Sequence, residues 1–233
     1  MILKNYIADD ETTFTKESPL AEIYRSYSAT CKTIAGWNMA THFNDLVREK
    51  DHLEKGSLLV DWSHIGKITL RGKTAEADVA GIESKAAELG ILQSCSTETQ
   101  AILRLTADEF LILCMPGEEA AVMEKLSGTG AICHGGGMGC FVLAGNDRDA
   151  VLERSTAMNL RRDLAPPGTV IQTTVHTVRC TLYRTENYDL LLYSREYSVS
   201  LFEALIDVGI AVGLIPSGLD AVPVNFNSGE TNG

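Results

Sequence analysis

The sequence predicts an α+β fold made of internally duplicated strand–helix lobes. Three observations carry this expectation. First, Thr106 to Gly130 aligns without a gap on Thr185 to Gly209, 25 residues at a constant offset of 79. Second, a looser match sets KITLRGKTAEADV, from Lys67, over CFVLAGNDRDAVL, from Cys140. Third, the composition is globular, with 45% apolar and 22% charged residues, and no apolar run approaches the roughly 18 residues of a membrane helix. A chain of 233 residues buries about 70% of its unfolded surface, enough for a core without staples.

Taken along the chain, Pro19 to Ala29 reads as a helix, with Ser18 as N-cap and proline at the first helical position. Asn44 to Lys55 reads as a second, polar helix. In the repeated segments each copy begins with a turn and enters an apolar strand, Phe110 to Cys114 or Tyr188 to Leu192. An amphipathic helix follows, in which Met123, Glu124 and Leu126 match Phe202, Glu203 and Leu205. Leu201, Phe202 and Leu205 have the spacing of a helix face turned to a core. Matched glycines, Gly130 and Gly209, stand where helix stops are expected. In the looser match, Gly72 and Gly145 let the backbone turn sharply off a strand end. Leu164 to Thr169 reads as a rigid turn leading into a strand from Val170 to Val178. The segment 223–233 is polar and reads as a disordered tail.

The formal charge of −11 and pI near 4.9 argue against nucleic acid and against anionic membranes, whose binders present a basic face. The stretch Met1 to Phe14 has no apolar core of signal-peptide length. The six cysteines form no C-x-x-C pair, and reduced thiols in the cytoplasm are the simplest reading. Cys114, inside an apolar run, reads as a small hydrophobe.

Two clusters invite a chemical reading. CHGGGMGC, Cys133 to Cys140, offers two thiols and an imidazole, but its spacing matches no standard zinc site and its glycines match no phosphate loop. An interlobe turn is the better reading. DWSH, Asp61 to His64, places Asp, Ser and His side by side, whereas a catalytic triad is assembled from distant segments. His64 therefore reads first as a hydrogen-bonded structural residue. Arg161, Arg162 and the acidic runs near Asp9 and Glu118 read as solvated faces.

Ser18 to Gly72 resembles the N-terminal third of the glycine-cleavage T-protein (aminomethyltransferase) family. The segment AGWNMA, Ala35 to Ala40, is similar to that family's A-G-W-x-M-P, with Ala40 in place of proline. LLVDWSHIGKITLRGKTAEADV resembles its D-V-S-H-M-G strand, with Trp62 for valine and Ile65 for methionine. From Cys140 to Asp207, the turn APPG, the strand around YRTENYDLLL and a final helix look most like the gamma subunit of heterotetrameric sarcosine oxidase.

The resemblance implies a T-protein-like folate-binding fold, here lacking the third domain. It implies a first lobe from 1–56 with 136–222 and a second from 57–135. It also implies tetrahydrofolate as cofactor and a small N-methylated donor. Trp37, Met39, Ser63, His64, Ile65, Thr99 and Asp189 become pocket candidates, although Trp37 and Met39 read first as core. No catalytic residue and no metal ligand is assigned. The family's essential aspartate falls near Thr99, beside Glu98, and its asparagine falls on Met115. Its G-Y-T-G-E loop is absent, its G-F-E glutamate survives in shorter form as Asp189, and its arginine-bearing motif is reduced to LDAVPV. A hydroxyl at Thr99 cannot relay a proton as a carboxylate does.

Two functions follow. One is a tetrahydrofolate-binding, aminomethyltransferase-like component of one-carbon transfer within a larger demethylase or oxidase. The other is a catalytically silent structural subunit resembling the sarcosine oxidase gamma chain. Both imply a second protein subunit or a homo-oligomer, with the apolar segment Ile210 to Val224 as the expected contact surface; the alternative for that segment is a closing strand folded into the chain's own core.

Overall fold

The computed structural model describes residues 16–223, 225 and 226; the reading of Met1 to Phe14 lies outside them. The first unit contains β1 (Lys16–Glu17), α1 (Ala21–Ser26), β2 (Thr30–Ile34), β3 (Trp37–His42) and α2 (Leu46–Lys55). Its sheet has the order β1-β3-β2. Ala35 and Gly36 join β2 to β3 with φ of 49° and 77°, the left-handed pair a tight hairpin needs. The first helix is shorter than the expected Pro19 to Ala29. Pro19 and Leu20 form a turn instead, and the Ser18 hydroxyl accepts from the Leu20 amide at 3.0 Å. The second helix starts later than expected because Asp45 caps it, accepting from the Val47 and Arg48 amides.

Next come β4 (Ser57–Asp61), β5 (Gly66–Arg71), α3 (Ala75–Ala80), β6 (Ser94–Ser96), β7 (Gln100–Arg104), β8 (Glu109–Cys114), α4 (Glu119–Lys125) and β9 (Ala131–Cys133). They are followed by β10 (Met138–Gly145), α5 (Arg148–Ser155), β11 (Val170–Val175), β12 (Val178–Arg184), β13 (Tyr188–Ser194), α6 (Ser198–Gly209) and β14 (Leu214–Ser217). The expected strand from Val170 to Val178 is therefore cut short. His176 adopts a φ of 51° and turns the chain back into β12.

The duplication extends to the register of the strands. In the five-stranded sheet β6-β7-β8-β5-β9, Ile68 pairs with Ile112 and Leu70 with Phe110. In the six-stranded sheet β11-β12-β13-β10-β4-β14, the equivalent residues Phe141 and Leu143 pair with Leu191 and Asp189. Each repeat runs strand, helix, three strands, helix, strand. One difference breaks the symmetry. β4 takes the place beside β10 that β9 holds beside β5, and β14 moves one strand outward. The strand at Ser57–Asp61 thus lies in the six-stranded sheet, not with the expected unit 57–135.

Alternating residues of each strand point to opposite faces, and in β4, β8 and β10 both faces are covered. Leu58, Val60, Val142 and Leu190 of one sheet share a core with Leu103, Leu111 and Leu113 of the other. Outside, Leu59, Phe141 and Leu191 pack with Val151 of α5 and Leu201 and Leu205 of α6. On the far side, Ile68 and Ile112 pack with Val79 of α3 and Val122 of α4. The result is helices, sheet, sheet, helices. Double coverage explains why these strands read as unbroken apolar runs. Each fully buried Leu or Phe contributes roughly 1.5–3 kcal/mol.

Both strand-end glycines behave as expected, with φ of 134° at Gly72 and 102° at Gly145. Of the matched glycines, Gly209 is the last residue of α6, as expected, whereas α4 ends at Lys125, five positions before Gly130. Both permit close approach, since a Cβ would lie 2.3 Å from the Arg71 carbonyl at Gly130 and 2.4 Å from the Leu214 side chain at Gly209. The segment expected as a contact surface also differs. β14 pairs with β4, Leu214, Ala221 and Val222 are buried, and the chain here closes its own core. Within the segment expected as a tail, Phe226 is buried and its ring lies 5.2 Å from that of Trp62.

Candidate functional site

The chain crosses between the sheets twice, at 62–65 and at 134–137, and the two crossings lie side by side. The Trp62 amide donates to the Cys140 carbonyl at 2.8 Å, and the Cys140 amide donates to Ser63 Oγ at 3.1 Å. Asp61 anchors the first crossing. Its carboxylate accepts from the Ser63 amide at 2.9 Å, from the Tyr24 hydroxyl at 2.7 Å and from the Ser18 hydroxyl. Ser63, His64 and Ile65 are all buried.

His64 departs from its expected role as a hydrogen-bonded residue. Its Nδ1 is buried with no partner among the described residues. Burial, reinforced by the Lys67 cation, pushes its pKa down to about 3, so the ring is neutral. Lys67 is itself fully buried and donates to the Ser63 carbonyl at 2.6 Å. Burial lowers its pKa as well.

The remaining candidates scatter. Trp37 and Met39 are buried in β3. The Trp37 ring backs onto the second crossing, where a Cβ on Gly136 would lie 3.2 Å from it, and Lys16 and Arg195 flank its faces at 5.4 and 6.0 Å. Thr99 is exposed in the turn between β6 and β7, its carbonyl accepting from the Met115 amide at 3.0 Å. Asp189 is fully buried on the face turned to α5. It pairs with Arg184 at 3.3 Å and lies 3.6 Å from Arg148 and 3.9 Å from Arg162. Burial raises its carboxyl while these guanidiniums oppose the rise. Arg162 is consequently part of an ion-pair network with Asp149, not a solvated charge.

Beside the second crossing lies a groove of about 650 Å3. One wall is His134, Gly137 and Met138; the other is the part of β11, β12 and β13 that the five-stranded sheet leaves uncovered, including Gln172, Thr174, Arg179, Thr181, Leu192 and Ser194. None of the seven candidate residues lines it. His134 is held in place by a contact of 2.7 Å between its Nε2 and Thr69 Oγ1, and burial lowers its pKa. Cys133 is exposed and Cys140 buried. Sequence reading missed the groove's β11–β12 wall. The signal was present: in VRCTL, Val178, Cys180 and Leu182 alternate with Arg179 and Thr181, the pattern of a strand with one face away from the core.

An aminomethyltransferase of Geobacillus thermodenitrificans is 24% identical over 88% of this chain and 62% of its own length. One of Caldanaerobacter subterraneus is 38% identical over 60 residues, 26% of this chain and 16% of its own length. The solved aminomethyltransferase T of the Bartonella henselae glycine cleavage system superposes with a TM-score of 0.73 at 19% identity, covering 88% of this chain and 60% of that one. The chain has the T-protein fold.

No family model matches the T-protein-like chain. A chain of the heterotetrameric sarcosine oxidase of Corynebacterium sp. U-96 superposes with a TM-score of 0.63 at 16% identity, covering 84% of this chain and 95% of that one. The T-protein-like chain spans about three fifths of the aminomethyltransferases it matches along most of its length. Among the described residues, no helix is long and apolar enough to cross a membrane.

Proposed function

We propose that the chain is a tetrahydrofolate-binding component of one-carbon transfer, handling methyl or aminomethyl groups from a small N-methylated donor. It works in the cytoplasm as a subunit of a larger demethylase or oxidase. The observation that carries this reading is the groove beside the crossings, in a fold that aminomethyltransferases share. Its volume of about 650 Å3 lies within the usual range for small-ligand sites. Met138 and Leu192 offer apolar surface to a flat ring, and the threonines and Gln172 offer hydrogen bonds to its edge. Trp37 and the buried Ser63–Ile65 segment support the crossings that form the wall.

When bound, tetrahydrofolate supplies the nitrogen nucleophile that accepts the one-carbon unit. The chain's own residues bind and orient it. Among the described residues no carboxylate lines the groove, so a carboxylate that moves the proton comes from a partner subunit in this reading. Anaerobic calorimetry with tetrahydrofolate tests it. Measurable heat with a saturable isotherm is expected, and neither heat nor thermal shift at millimolar ligand would remove the proposal.

A second reading, a catalytically silent structural subunit, is favoured by the near end-to-end coverage of the sarcosine oxidase chain, 95% of its length. Co-purification from the native host with a larger oxidase, but without folate affinity, is its expected outcome.

A further inference from the structure

Arg179 stands apart from most arginines of this chain. Arg25, Arg71, Arg104, Arg148, Arg161, Arg162 and Arg184 each pair with a carboxylate, and Arg154 and Arg195 donate to main-chain carbonyls. Arg179 has no ion-pair partner among the described residues. It is not on an edge strand: β12 lies between β11 and β13, and Arg179, near the start of β12, sits opposite Thr174 on the uncovered face. Arg179 lines the groove, as does Thr181 two residues along the same face. In a chain of net charge −11, this groove has, among the described residues, one guanidinium and no Asp or Glu in its lining. Such a site favours an anion, and a guanidinium favours a planar carboxylate, which it binds through two parallel hydrogen bonds.

We propose that Arg179 is the carboxylate anchor of the groove, holding the acidic tail of its ligand while Met138 and Leu192 face the ring. This inference rests on the folate-binding reading and deepens it. It supplies a cation where the LDAVPV segment has none. The bound class is a flat heterocycle bearing a terminal carboxylate, with the tail toward the open Thr174–Arg179 end of the sheet.

Anaerobic calorimetry on the full chain compares tetrahydrofolate with 6-methyltetrahydropterin, which lacks the tail, for the natural protein, Arg179→Gln and Arg179→Lys. Arg179 is exposed, so the variants are expected to fold, with unchanged thermal unfolding as the control. The natural protein binds the tailed ligand about tenfold or more tightly than the tailless one. Arg179→Gln loses that preference and leaves the tailless affinity unchanged, and Arg179→Lys recovers part of it. Equal affinities that ignore the substitution would overturn the anchor while leaving folate binding intact. Equal losses for both ligands would also overturn it. If neither ligand binds the natural protein, the folate reading fails and the anchor fails with it.

Discussion

Arg104 and Arg184 occupy the same register position in the two sheets, and each reaches back to an acid on the first helix of its own repeat. Arg104 lies opposite Phe110 and donates to Glu76 at 2.7 Å. Arg184 lies opposite Asp189 and donates to Asp149. The strand-to-helix ion pair is thus duplicated with the fold. What changed is the cross-strand partner. In one repeat the guanidinium lies over the Phe110 ring at 5.2 Å; in the other it pairs with the buried Asp189 carboxylate at 3.3 Å.

Unequal burial makes the two pairs unequal in energy. The Glu76 side chain is 54% exposed, whereas Asp189 and Arg184 are both at 0%. Glu76→Ala is expected to cost less than about 1 kcal/mol, as for exposed pairs. Arg184→Met leaves Asp189 buried with only the longer contacts to Arg148 and Arg162, and is expected to cost about 3–5 kcal/mol. Urea unfolding of the two variants checks the difference. Similar losses in both would show that Asp189 is not held mainly by Arg184.

Gly72 and Gly145 provide a second matched pair. Both have backbones outside the range most side chains adopt, so alanine at either costs about 1–3 kcal/mol. A Cβ at Gly72 meets nothing within 4 Å, but one at Gly145 would lie 2.3 Å from the Gly56 carbonyl oxygen. Backbone cannot yield as a flexible side chain can. Gly145→Ala should therefore unfold at a clearly lower temperature than Gly72→Ala in calorimetry, and equal Tm values would contradict the close packing of β10 on the α2–β4 turn.

These pairs also mark how far the sequence could be read. Local signals carried the repeat: apolar strand, polar turn, amphipathic helix and matched glycine lie within 25 residues. The Arg104 and Arg184 equivalence was harder, because the β7–β8 turn is one residue longer than the β12–β13 turn and the alignment slips across it. Strand order was not legible at all. Nothing local in SLLVD tells that β4 joins the later sheet. The Asp189 environment was half legible: it lies five positions after Arg184, hairpin spacing, yet the outward face follows only once the register is fixed. The apolar run after Ile210 carried the right hydrophobicity but not its destination, since a core strand and an interface strand have the same composition.

His64 makes stability fall with acidity. Its folded pKa is near 3 against an ordinary 6.5, so the unfolded chain takes up a proton that the folded chain refuses. Stability contributed by the neutral ring is complete above about pH 6.5 and declines as the pH falls toward 3, by up to about 1.4 kcal/mol per pH unit. Between pH 6.5 and 5, His64→Leu is expected to flatten this slope in urea titrations. A slope identical to that of the natural protein would mean that the buried imidazole is already protonated or solvated in the folded state.

A carboxylate placed at Thr99 tests whether the β6–β7 turn belongs to the reacting centre. The resemblance aligns the essential aspartate of the aminomethyltransferases with this position. Here, however, Thr99 is exposed and borders a separate hollow of about 190 Å3 with Glu83, Cys95 and Lys125. It does not line the groove beside the crossings. A carboxylate there remains hydrated, keeps an ordinary pKa and has at most a weak attraction to Lys125. Thr99→Asp should change stability by no more than about 0.5 kcal/mol, as surface substitutions do. It should leave tetrahydrofolate affinity unaltered and confer no tetrahydrofolate-dependent release of an aminomethyl or methyl group. Assays with a small N-methylated amine, in the presence and absence of the candidate partner subunit, measure this. Activity gained by Thr99→Asp without any partner would place the β6–β7 turn at the reacting centre and overturn the requirement for a second chain.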